Sequence, residues 1–98
     1  MEEVKDGTTK FERWVKEYGV AKLVKDLADL GPDYAATFSA VYQWLRGETE
    51  PRAAKIRGLV NLSGGKITLQ DVHDHMDAAR AGRIAREALE RRAAGARA

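Results

Sequence analysis

The sequence predicts an all-α domain, and three observations carry that prediction. Apolar residues recur at helical spacing, as in Phe11, Trp14, Val15 and Tyr18 or Leu23, Leu27 and Leu30. Capping residues and breakers at Thr9, Gly19, Gly31-Pro32-Asp33, Gly47, Gly64-Gly65 and Thr68 cut the chain into five segments of helix length. Beyond Met76 the composition turns to alanine and arginine, which favour helix. The expectation is five helices around one core in residues 1–77, followed by a C-terminal Arg/Ala-rich helical or frayed extension in 78–98.

The elements follow in order. Residues 1–8 read as a polar, frayed lead-in. Thr9 and Glu12 have capping-box spacing, so a first helix starts at Lys10, buries Trp14 and ends at Gly19. A second runs from Val20 to Leu30 with Lys22 and Lys25 off its stripe. Asp33 is a good cap for the third, and Tyr34, Phe38, Val41 and Leu45 then form one buried stripe that stops at Gly47. The fourth is expected from Thr49 to Leu62, with Thr49 as cap, Pro51 in the first turn and Ala53, Ile56, Leu59 and Val60 facing inward. Lys66-Ile67 reads as a short extended piece. Thr68 and Asp71 open the fifth helix, where Ile67, Leu69 and Val72 would close the core.

Composition bounds the function. The chain has 98 residues, 44% of them hydrophobic, which suits one small domain. It has no cysteine, so disulfides, thiolate nucleophiles and cysteine-based zinc sites are excluded. A reducing, cytoplasmic setting fits that composition. No apolar run reaches membrane-spanning length, and Met1-Glu2-Glu3-Val4-Lys5-Asp6 has no secretory pattern. Residues 1–33 carry six bases against eight acids, residues 34–70 five against two, and residues 78–98 six arginines against two glutamates. The basic middle and tail fit a polyanion partner.

The pattern Val-x-x-Trp-Leu-x-Gly (Val41, Trp44, Leu45, Gly47) resembles the second helix of the helix-turn-helix in Cro- and lambda-repressor-like DNA-binding domains. The segment Val20-Ala21-Lys22-Leu23-Val24-Lys25-Asp26-Leu27 resembles that family's first motif helix. The resemblance spans roughly residues 10 to 75. It implies a five-helix lambda-repressor-like fold and sequence-specific binding of double-stranded DNA. It also implies a small transcriptional repressor of phage, plasmid or mobile-element type, acting as a homodimer. The chain departs from the family between the motif helices, where Gly31 to Ala36 are extra to the usual short turn. Family spacing from Trp44 puts the helix start near Thr37. An extension back to Asp33 is the expected solution, because Asp33 caps well and Tyr34 is in phase with Phe38.

The outer faces of this helix carry Ala35, Ala36, Ser39, Ala40, Gln43 and Arg46, with no acid among them. Gln43 is the first candidate for base reading, since its amide donates and accepts at once, as adenine's major-groove edge demands. Ser39 is a less selective second. Thr37 would meet a phosphate, a base or its own backbone. Lys22, Tyr42, Arg46, Arg52 and Lys55 are the candidates for phosphate contact, with Tyr42 on the sugar-phosphate chain or in the core.

Other chemistries are disfavoured. In His73-Asp74-His75 the histidines sit at i and i+2, pointing to different helix faces, so no metal site is expected and both read as polar residues of early turns. Ser63-Gly64-Gly65-Lys66 lacks phosphate-loop spacing and reads as a cap and turn. No catalytic residue or cofactor is expected. The competing reading is a helical protein-interaction module or antitoxin-like adaptor whose Arg/Ala tail grips an acidic partner. DNA binding requires an exposed, acid-free face over residues 35–46; an adaptor requires a contiguous apolar groove. In the tail, Val72, Met76 and Ala79 form one stripe and Ala81, Ile84, Ala85, Ala88 and Leu89 a second, either of which would serve as a dimer seam.

Overall fold

The structure, a computed structural model, describes residues 8–97; residues 1–7 of the expected lead-in lie outside the described residues. Among the described residues there are five helices and no strand: α1 (Lys10–Tyr18), α2 (Val20–Leu30), α3 (Phe38–Arg46), α4 (Ala53–Ser63) and α5 (Leu69–Arg97). None is long and apolar enough to cross a membrane. The first two helices begin and end where local signals place them. Thr9 Oγ accepts from the Glu12 N–H at 3.1 Å, while the Glu12 carboxylate turns to Lys16 at 3.0 Å. Gly19 alone joins α1 to α2, with φ 95°, and its N–H and C=O each continue a helix ladder.

The core is built from Phe11, Trp14 and Val15 of α1, Leu23 and Leu27 of α2, Val41 and Trp44 of α3, and Ile56 and Leu59 of α4. Ile67, Val72 and Met76 close it from the chain leading into and through α5. Helix α2 packs on α1, α3 and α4, and α5 packs on α1, α3 and α4. These two helices therefore hold α3 from two sides. Leu69 departs from its expected place in the core: it is the first residue of α5 and 54% exposed.

Two helix starts differ from the sequence expectation. Helix α3 is not extended to Asp33; residues 31–37 form a longer turn and Thr37 is the cap. Tertiary contacts hold that turn. Lys55 Nζ donates to the Asp33 carbonyl at 3.2 Å, and the Tyr34 ring sits where a Cβ on Gly58 would lie 3.0 Å from it. Helix α4 starts at Ala53, not Thr49, so Thr49 caps nothing and Pro51 precedes the helix with its ring buried. The residue before a proline avoids helical backbone, which moves the start past Glu50. Glu50 instead pairs with His73 at 3.2 Å and Arg80 at 3.3 Å, tying this loop to α5. Ala53, expected inward, is exposed. The Ser63 hydroxyl donates to the Val60 carbonyl at 2.7 Å and accepts from the Ile67 N–H at 3.3 Å, so this segment is a cap and turn as its sequence suggests.

Thr68 and Asp71 form a reciprocal capping box at the start of α5: Asp71 N–H to Thr68 Oγ at 3.2 Å, and Thr68 N–H to the Asp71 carboxylate at 2.9 Å. The helix then runs unbroken through position 78 and through Gly82. Val72 and Met76 are buried in their own core, so they are not available as a dimer seam.

One ion-linked contact fastens α1 to α2. The Tyr18 hydroxyl donates to Asp26, and this bond, with burial next, pushes the Tyr18 phenol from 10.0 up to about 12. The same bond holds the Asp26 carboxyl below its ordinary range. A raised phenol stabilises the fold fully below pH 10, and that contribution is lost as pH climbs through about 12. The stability difference between the native chain and Tyr18→Phe, read from urea midpoints, should therefore shrink over that interval. A difference that stays constant from pH 9 to 12 would contradict the assignment.

Candidate nucleic-acid interface

Helix α3 is fixed at both ends by local chemistry. At its start, Thr37 Oγ accepts from the Ala40 N–H at 3.0 Å, so Thr37 serves its own backbone. At its end Gly47 takes φ 74°, where its N–H reaches the Trp44 carbonyl at 3.1 Å and the Glu48 N–H reaches the Gln43 carbonyl at 2.9 Å. That pair is the Schellman closure, and its left-handed residue favours glycine.

Which face α3 buries differs from the expected stripe. Val41 and Trp44 are inside, flanked by partly buried Ala40 and Leu45, while Phe38 is 50% exposed. Starting the helix at Phe38 takes Tyr34 out of phase, and the larger Trp44 becomes the anchor. The outward face is Phe38, Ser39, Tyr42 and Arg46, with Thr37 at its edge; Tyr42 is 45% exposed and so lies outside the core. Gln43 is half-buried beside this face. No acid lies between Tyr34 and Arg46.

The basic candidates are differently disposed. Lys22 pairs with Asp26 at 3.4 Å and lies over the Tyr18 ring, 4.4 Å from its centroid. Arg46 makes a forked bond to Glu48, at 2.8 and 3.2 Å. Arg52 stands exposed just before α4, and Lys55 is half-buried against the turn before α3. The fold adds two arginines that the site reading did not name. Arg83 and Arg86 of α5 line a surface cleft with Arg46, Glu48 and Thr9. The Arg46 bond holds the Glu48 carboxyl below its ordinary value, and the charge of Arg83 acts in the same direction. Their i, i+3 spacing places Arg83 and Arg86 on one side of a helix, but only the fold places that side beside α3.

His75, read from the sequence only as a polar residue of an early helical turn, is a core residue, 1% exposed. Its Nε2 lies 2.9 Å from the Trp44 carbonyl and its Nδ1 2.6 Å from Thr9 Oγ, with the ring 5.0 Å from Phe11, centroid to centroid. A carbonyl can only accept, so Nε2 carries the proton and Nδ1 accepts from the Thr9 hydroxyl. The Thr9 oxygen then donates to His75 and accepts from Glu12, completing a chain from the start of α1 to the end of α3. No group of three or more potential metal ligands occurs among the described residues.

A second surface feature involves no α3 residue. Leu30, Tyr34, Pro51, Ile56, Val60 and Leu69 are half of the residues lining a largely apolar groove of about 1040 Å³, between α2, α4 and the start of α5. No family model, curated protein or solved structure matches this chain.

Proposed function

We propose that the chain binds double-stranded DNA in a sequence-specific manner, with α2 and α3 as a lambda-repressor-like helix-turn-helix and α3 entering the major groove. The biological role is that of a small transcriptional repressor, acting as a homodimer by occluding a promoter. The observation that carries this reading is the outward face of α3: exposed, acid-free, and on a helix pinned at both ends. Arg46, Arg52, Lys22 and Lys55, joined by Arg83 and Arg86, supply phosphate contacts. Ser39 and Gln43 supply base contacts, and Thr37 flanks them. The reading involves no catalysis and no cofactor.

Selection of bound sequences from random duplex DNA tests it. With three or more phosphate contacts, log K should fall with log salt at about −0.9 per contact. Arg52→Ala should flatten that slope by about 1 and leave site preference unchanged. Gln43→Ala should cost about 1–3 kcal/mol on the selected site and much less on random DNA. No detectable duplex binding at low salt would end the proposal.

The tail bears on assembly. Ile84 and Leu89 are 60% and 62% exposed on the free half of α5, where Ala81, Ala85 and Ala88 complete a narrow stripe. A dimer reading half-sites one helical turn apart, about 34–36 Å, needs such a seam. Truncation after Arg83 removes it while keeping Ala79 and Arg80 in place. If the stripe is the seam, native mass halves and preference for paired half-sites is lost. If the tail is an electrostatic arm, mass stays constant while affinity for all DNA and the salt slope both fall.

The apolar groove favours a second reading, a protein-interaction module. Because groove and α3 share no residue, Val60→Lys should abolish partner binding without touching DNA affinity. A native chain that enriches no protein partner would remove this reading.

A further inference from the structure

We propose that Phe38 reads the 5-methyl group of thymine in the major groove, making A·T pairs at defined positions part of the target. The inference rests on the DNA-binding reading of α3 and adds the chemistry that the site recognises. Phe38 is the first residue of α3, directly after the Thr37 cap, and half of its surface is open to solvent. The N-terminal residues of a groove-binding helix are the ones that reach base edges. Phenylalanine has no donor or acceptor, so it cannot read the hydrogen-bonding pattern of any base. The one apolar group on the major-groove edges of the four standard bases is the thymine methyl.

The surroundings favour the same occupant. Tyr42, at i+4, is the other large exposed apolar side chain on α3 and extends the strip by one helical turn. Among the described residues, the remaining exposed large apolar side chains are elsewhere: Leu30 and Leu69 line the groove on the far elements, and Ile84 and Leu89 lie on the tail. The Phe38 strip carries no acid, and the nearest acid after the helix, Glu48, is neutralised by Arg46. An apolar strip framed by serine, glutamine and arginine suits a polyanion that displays methyl groups.

The test replaces each thymine of the selected site, one at a time, by deoxyuridine, which removes the methyl and leaves the hydrogen-bonding pattern intact. Native protein should lose about fourfold in affinity at one or two positions, the worth of one buried methyl. Phe38→Ala should bind the thymine and uracil sites equally, and Phe38→Leu should restore part of the discrimination. Circular dichroism should match the native chain and the urea midpoint should fall only slightly, since half of the side chain is open to solvent. Retained discrimination in Phe38→Ala would overturn the proposal. So would indifference of the native protein to uracil at every position while duplex binding persists, which would leave the DNA-binding reading standing. Tightening by 5-methylcytosine without any thymine effect would overturn thymine as the source of the methyl. Absence of all duplex binding would remove the DNA-binding reading and this inference with it.

Discussion

Gly47→Ala should destabilise the fold by about 2–5 kcal/mol, combining left-handed backbone strain with overpacking. Gly47 has φ 74°, and a Cβ there would lie 2.6 Å from the Ala79 Cβ and 3.1 Å from the Ala79 backbone carbon. The side chain of Ala79 cannot swing away, so α5 as a whole must shift. Gly64 is the internal control: its φ is 62°, also left-handed, but a Cβ there meets nothing within 4 Å. Gly64→Ala should therefore cost only the backbone term, about 1–2 kcal/mol. Urea unfolding at constant slope separates the two. Equal losses would show that the close approach of α3 to α5 is not what requires glycine at 47.

His75→Ala should be comparably damaging, about 3–5 kcal/mol, the range for deleting a large buried ring. The ring packs on Phe11 and bridges Thr9 to Trp44 across 66 and 31 positions of sequence, so its loss leaves a cavity and removes the acceptor of the Thr9 hydroxyl proton, while the Thr9 oxygen keeps the Glu12 N–H. The Trp44 carbonyl keeps the Gly47 N–H. His75→Leu separates packing from hydrogen bonding: it restores most of the volume and should cost about 1–3 kcal/mol for the two hydrogen bonds lost. If His75→Ala loses less than about 1 kcal/mol, the buried bridge is not structural. For a domain whose total stability is on the order of 5–15 kcal/mol, either Gly47→Ala or His75→Ala removes a large share.

Helix ends were legible in the sequence wherever the signal is local and unopposed. Thr9, Gly19, Gly31, Gly47, Gly64 and Thr68 each act within a few residues of themselves, and each stands where its chemistry places it. The all-helical, five-element plan and most of the core followed from these ends and from apolar spacing. Two starts moved: α3 from Asp33 to the competing cap Thr37, and α4 from Thr49 to a position after Arg52, which makes no side-chain cap. Local propensity separates such pairs by only about 1 kcal/mol, less than the contacts that decide them. The partners in Tyr34 against Gly58, Lys55 on the Asp33 carbonyl and Glu50 on α5 lie 22 to 30 positions apart in sequence. Phe38 went from expected core to surface because packing turned the Val41 and Trp44 side of α3 inward, and which side of a helix faces the core is a tertiary choice. His75 was equally illegible: its partners are a hydroxyl near the start of the chain and a carbonyl at the end of α3. Tertiary structure likewise spent Met76 on the core and brought Arg83 and Arg86 beside Arg46. Sequence by itself determined which segments are helical and which residues are apolar enough to be buried; packing decided which face of α3 looks outward and which charges surround it.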